Sequence, residues 1–97
     1  MSSERPTPKN PVLYDRLHRV AQVRLHAGEL PRDDPTRTYG GPGSALKCAL
    51  CDVAIFEPEV ELELVYSMAA DGAPACTLRF HVYCHGIWDY ERHRIAR

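Results

Sequence analysis

The sequence predicts a small α+β fold, and three patterns along its 97 residues indicate this class. Apolar residues recur at helical spacing after Pro11, and apolar and polar residues alternate near Val60 and again near Leu78. Steps of three and four residues are typical of a helix that buries one stripe, whereas alternation is typical of a half-buried strand. The third pattern is a pair of short cysteine and histidine motifs that flank the two predicted strands.

The first predicted element is an amphipathic helix over about 11–27. Asn10 is a good N-cap, and Pro11 suits the first helical position because the N–H that it lacks would be unpaired there. Gly28 is a natural C-terminal stop, so the helical unit covers 11–28. The predicted apolar stripe comprises Leu13, Leu17, Val20, Ala21 and Leu25, and the arginines Arg16, Arg19 and Arg24 lie away from it.

The segments on either side of this helix predict little regular structure. Residues 1–10 are polar and contain prolines, so we expect a flexible N-terminus. Residues 29–46 are rich in Gly, Pro and charge and are predicted to be a linker. The glycines after Tyr39 could bind an anion, but Lys47 is not in the G-K-[ST] context of a P-loop. We therefore predict a plain connector.

The remainder, 47–97, is predicted to hold an antiparallel hairpin followed by a helix over roughly 82–96. Residues 70–74 have turn composition and separate the two strands. In the first strand Val60, Leu62 and Leu64 alternate with glutamates, and in the second Cys76, Leu78 and Phe80 alternate with Thr77 and Arg79.

Three interpretations follow from these strands and the last helix. Cys76 is predicted to point into the core as a small hydrophobe rather than to bind metal. Trp88 is predicted to be the largest core residue, and a recognition surface with Tyr90 is the alternative. The glutamates are predicted to form a solvated strand face, and the alternative is an acidic docking strip; they are Glu57, Glu59, Glu61 and Glu63.

The two short motifs have the spacing of ligands to a structural metal ion. Cys48 and Cys51 form a C-x2-C pair, and His81 and Cys84 form an H-x2-C pair. Zn²⁺ accepts thiolate and imidazole ligands in a tetrahedron, so two chelating pairs can complete one site. We predict one structural Zn²⁺ per chain, since iron–sulfur clusters usually take four thiolates.

The sequence leaves two features of this site open: which histidine is the ligand, and which residue accepts a hydrogen bond from its second nitrogen. His85 lies four residues after His81 and could replace it as a ligand. Asp52 and Thr77 are candidate acceptors for the second nitrogen of a zinc-bound imidazole.

We call the C-x2-C turn the knuckle. The order of knuckle, hairpin and helix over 47–97 resembles that of a treble-clef zinc finger. Gly28–Pro31, Tyr39–Gly43 and the four ligands are also similar to a group of short, uncharacterised bacterial proteins with one C-x2-C…H-x2-C site. This resemblance implies the fold and one zinc ion, and it implies no known activity. RING and LIM domains carry a second zinc site, whose ligands are missing here.

Composition narrows the function further. The net charge of −1 is not that of a typical nucleic-acid binder, and no apolar run has membrane-spanning length. No secretory signal is present, so we expect a cytoplasmic protein with reduced cysteines. We expect no enzyme activity, because four protein ligands leave zinc no open position.

The sequence therefore predicts a small structural-zinc protein that binds another protein as a module or adaptor. One alternative is a nucleic-acid-binding regulator, in which the arginines of the first helix act together with Arg92, Arg94 and Arg97. A zinc sensor or store is a further alternative, which requires an exchangeable site.

Overall fold

The structure is an α+β fold in which the C-terminal helix packs against both the N-terminal helix and an antiparallel sheet. The computed structural model describes residues 11–67 and 74–95. Its elements are α1 (Pro11–His26), β1 (Arg37–Pro42), β2 (Val60–Ser67), β3 (Pro74–His81) and α2 (Val82–Ile95). Helix α2 contacts α1 and also strands β2 and β3. The predicted class is confirmed, with one strand more than the sequence indicated.

Helix α1 ends at the glycine that the sequence marks as its stop. Gly28 has a φ of +79°, which an L side chain rarely adopts. The N–H of Glu29 donates to the carbonyl of Arg24 at 2.8 Å, and that of Gly28 donates to the carbonyl of Leu25 at 3.2 Å. These two bonds form a Schellman cap, so the last carbonyls of α1 are paired.

The apolar stripe of α1 enters the core over its last three turns. Leu17, Ala21 and Leu25 are buried, and Val20 packs against them. Leu13 was predicted to belong to the same stripe, but 41% of its surface is exposed. The stripe is therefore buried only from Leu17 onward, where α1 meets the rest of the core.

The sheet has the order β1-β2-β3 with antiparallel neighbours, and the predicted hairpin is its β2–β3 pair. Leu64 lies opposite Leu78, and Leu62 lies opposite Phe80. Side chains at alternate positions share a face of the sheet, so these four lie on one face. Leu64 and Phe80 are fully buried and place this face in the core. Of the turn predicted at 70–74, residues 70–73 lie outside the described residues, as does the N-terminus at 1–10, and Pro74 is the first residue of β3.

Strand β1 forms where the sequence predicted only a connector. It pairs with β2 in a regular register, with Gly40 opposite Leu62 and Pro42 opposite Val60. The N–H of Gly43 donates to the carbonyl of Glu59 at 2.9 Å. Antiparallel pairs alternate between bonded and non-bonded positions, so the neighbouring Pro42 turns its backbone away from β2. The proline therefore removes no bond from the β1–β2 ladder, and its presence is compatible with an edge strand.

The glutamates of β2 do not form a wholly solvated face, and this corrects the sequence interpretation. Glu61 is only 7% exposed, and it accepts a hydrogen bond from the Ser44 hydroxyl at 2.6 Å. Arg79 Nε lies 3.3 Å from its other oxygen as an ion pair rather than as a well-aligned hydrogen bond. Arg79 also bonds Glu63 at 3.3 Å. A cross-strand arginine thus neutralises two of the four carboxylates.

Cys76 is exposed, so the prediction that it points into the core is wrong. It lies opposite Tyr66 near the end of the β2–β3 hairpin. Its alternation with Leu78 and Phe80 is real, but burial also requires a helix above the strand. The side chain of Cys76 lies beyond the part of the sheet that the helix covers.

Trp88 lies in the core, as the sequence predicted. It is fully buried, stacks on Phe80 with ring centroids 5.4 Å apart, and donates its indole N–H to the Pro31 carbonyl at 2.9 Å. The Arg92 guanidinium lies 4.5 Å above its ring and binds Asp34 at 2.8 Å. The chain that follows α1 is thereby attached to α2.

Candidate metal centre

The first two candidate ligands lie on a tight turn between β1 and β2. The N–H of Cys48 donates to the carbonyl of Val53 at 2.9 Å, and that of Asp52 donates to the carbonyl of Cys48 at 3.0 Å. The N–H of Leu50 points at the Cys48 sulfur at 3.4 Å. Backbone N–H groups that donate to a sulfur stabilise its thiolate form, since they supply positive partial charge. The turn therefore favours the thiolate form of Cys48, which is the form that binds a cation.

This knuckle turn is held against the rest of the fold by three further hydrogen bonds. The N–H of Ala49 donates to the carbonyl of Arg79 on β3 at 2.7 Å. Arg24 of α1 donates to the Ala49 carbonyl at 2.7 Å and to Asp52 at 2.9 Å. The knuckle therefore has a fixed position relative to β3 and α1.

The second two candidate ligands lie where β3 meets α2. His81 is the last residue of β3, and Cys84 lies in the first turn of α2. The strand-to-helix junction places both side chains toward the knuckle. Cys84 is fully buried, and His81 is 2% exposed.

The four side chains converge on one point, as the sequence predicted. The ligand atoms of Cys48, Cys51, His81 and Cys84 all lie within 4.8 Å of one another. Nδ1 of His81 is 3.4 Å from the sulfur of Cys51 and 4.0 Å from that of Cys84. Ligands at zinc distances in a tetrahedron lie roughly 3.3–3.8 Å apart, which is close to these separations. The cluster has the donor atoms and the size to hold one metal ion.

Hydrogen bonds within the cluster shift the pKa values of Cys48, His81 and Cys84. Hydrogen bonds from Cys51 and Cys84 lower the pKa of Cys48 far below its usual range. Hydrogen bonds to Cys48 and Cys51 raise the pKa of Cys84. Hydrogen bonds to the same two cysteines raise the pKa of His81 to about 10. The cluster therefore favours a thiolate at Cys48 with a positive charge beside it. A bound divalent cation would supply this positive charge in place of the protons.

The second nitrogen of His81 faces Glu59, a residue that sequence reasoning did not connect with the site. Glu59 Oε1 lies 3.7 Å from His81 Nε2. The imidazole also stacks on Tyr83 with centroids 5.4 Å apart and an angle of 16°. A carboxylate beside the distal nitrogen is the usual partner of a metal-bound histidine. No local sequence motif indicates a role for Glu59, because this residue approaches His81 only through the pairing of β2 with β3.

The two residues predicted for this outer role lie elsewhere. Asp52 is exposed and forms its ion pair with Arg24. Thr77 lies opposite Val65, four positions before His81 along β3. Among the described residues, neither side chain forms a hydrogen bond or ion pair with the imidazole.

The alternative ligands also lie outside the cluster. His85 packs against Phe80 and Trp88, with ring centroids 6.0 and 5.4 Å apart, and burial lowers its pKa. Cys76 is exposed near the far end of the hairpin. His81 and not His85 is therefore the imidazole of the site.

Comparison with known proteins adds no relative to this picture. No protein-family model, curated protein or solved structure matches the chain. Among the described residues, no helix combines the length and the apolar character needed to cross a membrane. The interpretation of the site therefore depends on its own geometry.

Proposed function

We propose that the chain is a small structural-zinc protein, with one Zn²⁺ bound by Cys48, Cys51, His81 and Cys84. The convergence of these four ligand atoms within 4.8 Å carries the proposal. Three thiolates and one imidazole are a common ligand set of closed zinc sites. The histidine argues against an iron–sulfur cluster, which usually takes cysteine alone.

The role of the zinc is structural rather than catalytic. Four protein ligands fill a tetrahedron, so no position stays open for water or substrate. The ligands come from the knuckle, the end of β3 and the start of α2, and one ion would connect all three. This order of knuckle, hairpin and helix supports a treble-clef-like module.

We further propose that this module binds another protein as an adaptor. A groove of about 520 Å³ lies between α1 and the knuckle, beside the metal cluster. Leu13, Val53 and Phe56 line it and are 41%, 59% and 56% exposed. Exposed apolar side chains that lie together favour a protein partner. We call this surface the apolar groove.

The arginines give less support to nucleic-acid binding. Arg24 pairs with Asp52, Arg94 pairs with Glu91, and Arg92 is buried beside Asp34 and Asp89. Their charge is thus compensated within the protein. Of the arginines considered in the sequence, Arg16 and Arg19 are exposed, and Arg97 lies outside the described residues.

Two measurements test the proposal. Protein purified without chelators or acid should contain one zinc per chain by elemental analysis, and metal-free protein would contradict the zinc assignment. Zinc-loaded chain should then capture a partner from a lysate of its native host. Phe56→Ser should abolish this capture, whereas Val23→Ser, at an equally exposed apolar position outside the groove, should not. Equal capture by both variants would reject the apolar groove as the contact surface.

A further inference from the structure

A second groove lies between α1 and α2, and it differs from the apolar groove in chemistry. Its volume is about 720 Å³, and its lining includes Tyr14, Asp15 and His18 of α1 with Tyr83, Ile87 and Tyr90 of α2. Ile87 is buried, whereas Tyr14 and Tyr90 are 44% and 58% exposed. We call this surface the tyrosine groove. Tyr83 also borders the apolar groove and the metal cluster, whereas Tyr14, His18 and Tyr90 belong to neither.

The aromatic rings of this groove are held in place by a shared neighbour. The His18 ring lies edge-on to Tyr14, with centroids 4.6 Å apart, and to Tyr90, with centroids 5.6 Å apart. His18 is itself fixed by its Nδ1, which lies 2.6 Å from the Glu91 carboxylate. Tyr83 is fixed by its stack on His81. The rings are thus positioned before any ligand binds, although two of them remain exposed.

The charges at the groove have the sign that attracts a cation. Asp15 is exposed and has no ion pair among the described residues. Burial alone would raise the pKa of Glu91, but hydrogen bonds from His18, Arg94 and Gln22 outweigh burial and lower it. Glu91 is therefore ionised behind His18, although Arg94 compensates part of its charge. Among the described residues, the lining of this groove contains no lysine or arginine.

We infer that the tyrosine groove receives a cationic side chain, an arginine or a lysine, from a protein partner. The negative faces of tyrosine rings attract guanidinium and ammonium groups, and the exposed carboxylate of Asp15 at the rim adds a charge-assisted hydrogen bond. The same kind of contact exists inside this protein, where the Arg92 guanidinium stacks on Trp88. The inference names the partner's chemistry and so depends on the proposed protein-binding function.

A titration of the zinc-loaded full chain tests the groove directly. The probe is N-acetyl-arginine methylamide, and the control is its citrulline analogue, which has the same shape without the charge. Saturable NMR shifts at the amides of Tyr14, His18 and Tyr90 are expected with the arginine compound. The citrulline compound should bind at least about threefold more weakly. Equal binding of the two compounds, or no saturable shift at these amides, would overturn the inference.

Three variants assign any binding to the groove. Tyr90→Leu and Asp15→Asn should each weaken arginine binding at least about threefold, because they remove a ring face and the rim charge. Tyr39→Leu changes another half-exposed tyrosine, on β1, and should leave binding unchanged. If Tyr39→Leu weakened binding as much as Tyr90→Leu did, the groove would not be the site. Asp15 is exposed, so its variant carries the test even if Tyr90→Leu folds poorly.

Failure of this inference can be distinguished from failure of the proposed function. A partner that wild-type chain and the Tyr90→Leu, Asp15→Asn double variant capture equally would reject the groove and keep the adaptor role. Arginine binding that the variants abolish, with no partner captured by any form of the chain, would reject the adaptor role and keep the groove as a cation site.

Discussion

Two cysteines that differ in their surroundings provide the sharpest test at the scale of single residues. Cys51 belongs to the metal cluster, whereas Cys76 is exposed and outside it. We expect Cys51→Ser to lose zinc and to unfold, because structural zinc supplies about 10 kcal/mol or more of apparent folding free energy. Cys76→Ser should keep the zinc and change stability by less than about 0.5 kcal/mol. Zinc content and thermal unfolding, followed by the fluorescence of the single tryptophan, measure both effects.

The cysteine pair can also contradict the assignment. If Cys76→Ser lost the metal while Cys51→Ser retained it, the ligand set would have to be revised. If both variants retained the metal, the cluster would not be the site that binds it.

Two glycines beside β1 provide a second residue-scale prediction. A Cβ added at Gly43 would lie 2.4 Å from the Ile55 carbonyl oxygen and 2.7 Å from two neighbouring backbone carbons, and backbone cannot move aside easily. A Cβ at Gly41 would meet nothing within 4 Å. We expect Gly43→Ala to lower the free energy of unfolding by about 1–3 kcal/mol. Gly41→Ala should change it by less than about 1 kcal/mol. Urea unfolding of both zinc-loaded variants measures the two free energies of unfolding. Similar values would contradict the close approach of the Ile55 carbonyl to Gly43.

The residues that sequence analysis placed wrongly share a physical cause. Cys76 and Glu61 were assigned from alternation alone, which tells on which face a side chain lies and not what covers that face. His18 is half-buried and bonds Glu91 from the other helix, a contact that the amphipathic pattern of α1 does not indicate. Such partners are distant along the chain, so local pattern could not supply them. The cluster of four candidate metal ligands could be predicted because chelation imposes a short, recognisable spacing within each pair.

At the scale of elements, the contact between α1 and α2 depends on a buried carboxylate. Glu91 is 2% exposed and accepts hydrogen bonds from Gln22 at 3.3 Å and Arg94 at 3.1 Å, in addition to its short contact with His18. We expect Glu91→Gln to lower the free energy of unfolding at neutral pH by about 1–3 kcal/mol, because bonds to a charged acceptor are replaced by weaker ones. Asp15→Asn, at an exposed carboxylate of α1, should cost less than about 0.5 kcal/mol.

The pH dependence of this contact has a defined sign. The pKa of Glu91 is lowered from its ordinary value of 4.5 in the folded protein, so its stabilising effect is complete above pH 4.5 and is lost as the pH falls through the folded pKa. The stability difference between wild type and Glu91→Gln should therefore shrink below about pH 4.5. Zinc release in acid affects both proteins, so the difference between them is the quantity to measure. A difference that grew in acid would contradict the ionised state assigned to Glu91.

Two helices and two of the three strands could be predicted because each has a local period. Strand β1 could not, since its residues include Gly40, Gly41 and Pro42, which rarely favour strands. Its pairing comes from the neighbouring β2, whose edge groups need partners. The C-terminal end of α1 was predictable because the cap at Gly28 is a local structure.

At the scale of the whole molecule, the candidate metal cluster lies against a small core that includes Cys48 and Cys84. The described core contains Trp88 and Phe80, and Phe80 directly precedes the ligand His81 along β3. Removing zinc by a strong chelator should therefore unfold the region from 47 onward, with loss of NMR chemical-shift dispersion and a change in Trp88 fluorescence. Re-addition of zinc should restore both signals. A native-like spectrum in the chelated protein would show that the metal is not needed for the fold.

The charge distribution of the whole molecule distinguishes a protein partner from a nucleic acid. The net charge is −1, and three of the arginines considered for binding are engaged in ion pairs within the fold. Binding through phosphates releases counterions, so affinity for duplex DNA falls with salt at a slope of about −0.9 per neutralised phosphate. We expect any weak binding at low salt to show no sequence preference and to vanish at about 0.15 M salt.

A sub-micromolar affinity for DNA or RNA at about 0.15 M salt would overturn the assignment of a protein partner. Arg16 and Arg19 are the exposed arginines of α1. Their joint replacement by glutamine should then reduce the slope of log affinity against log salt concentration by the amount expected for about two phosphate contacts. Replacing Arg24 should add little to this loss, because its guanidinium is already bound to Asp52 and to the carbonyl of Ala49. A slope that stayed unchanged in the Arg16, Arg19 variant would place the contact on another face of the molecule. The expected result, no binding at that salt concentration for wild type or variant, would leave the two grooves beside α1 as the surfaces on which to search for a partner.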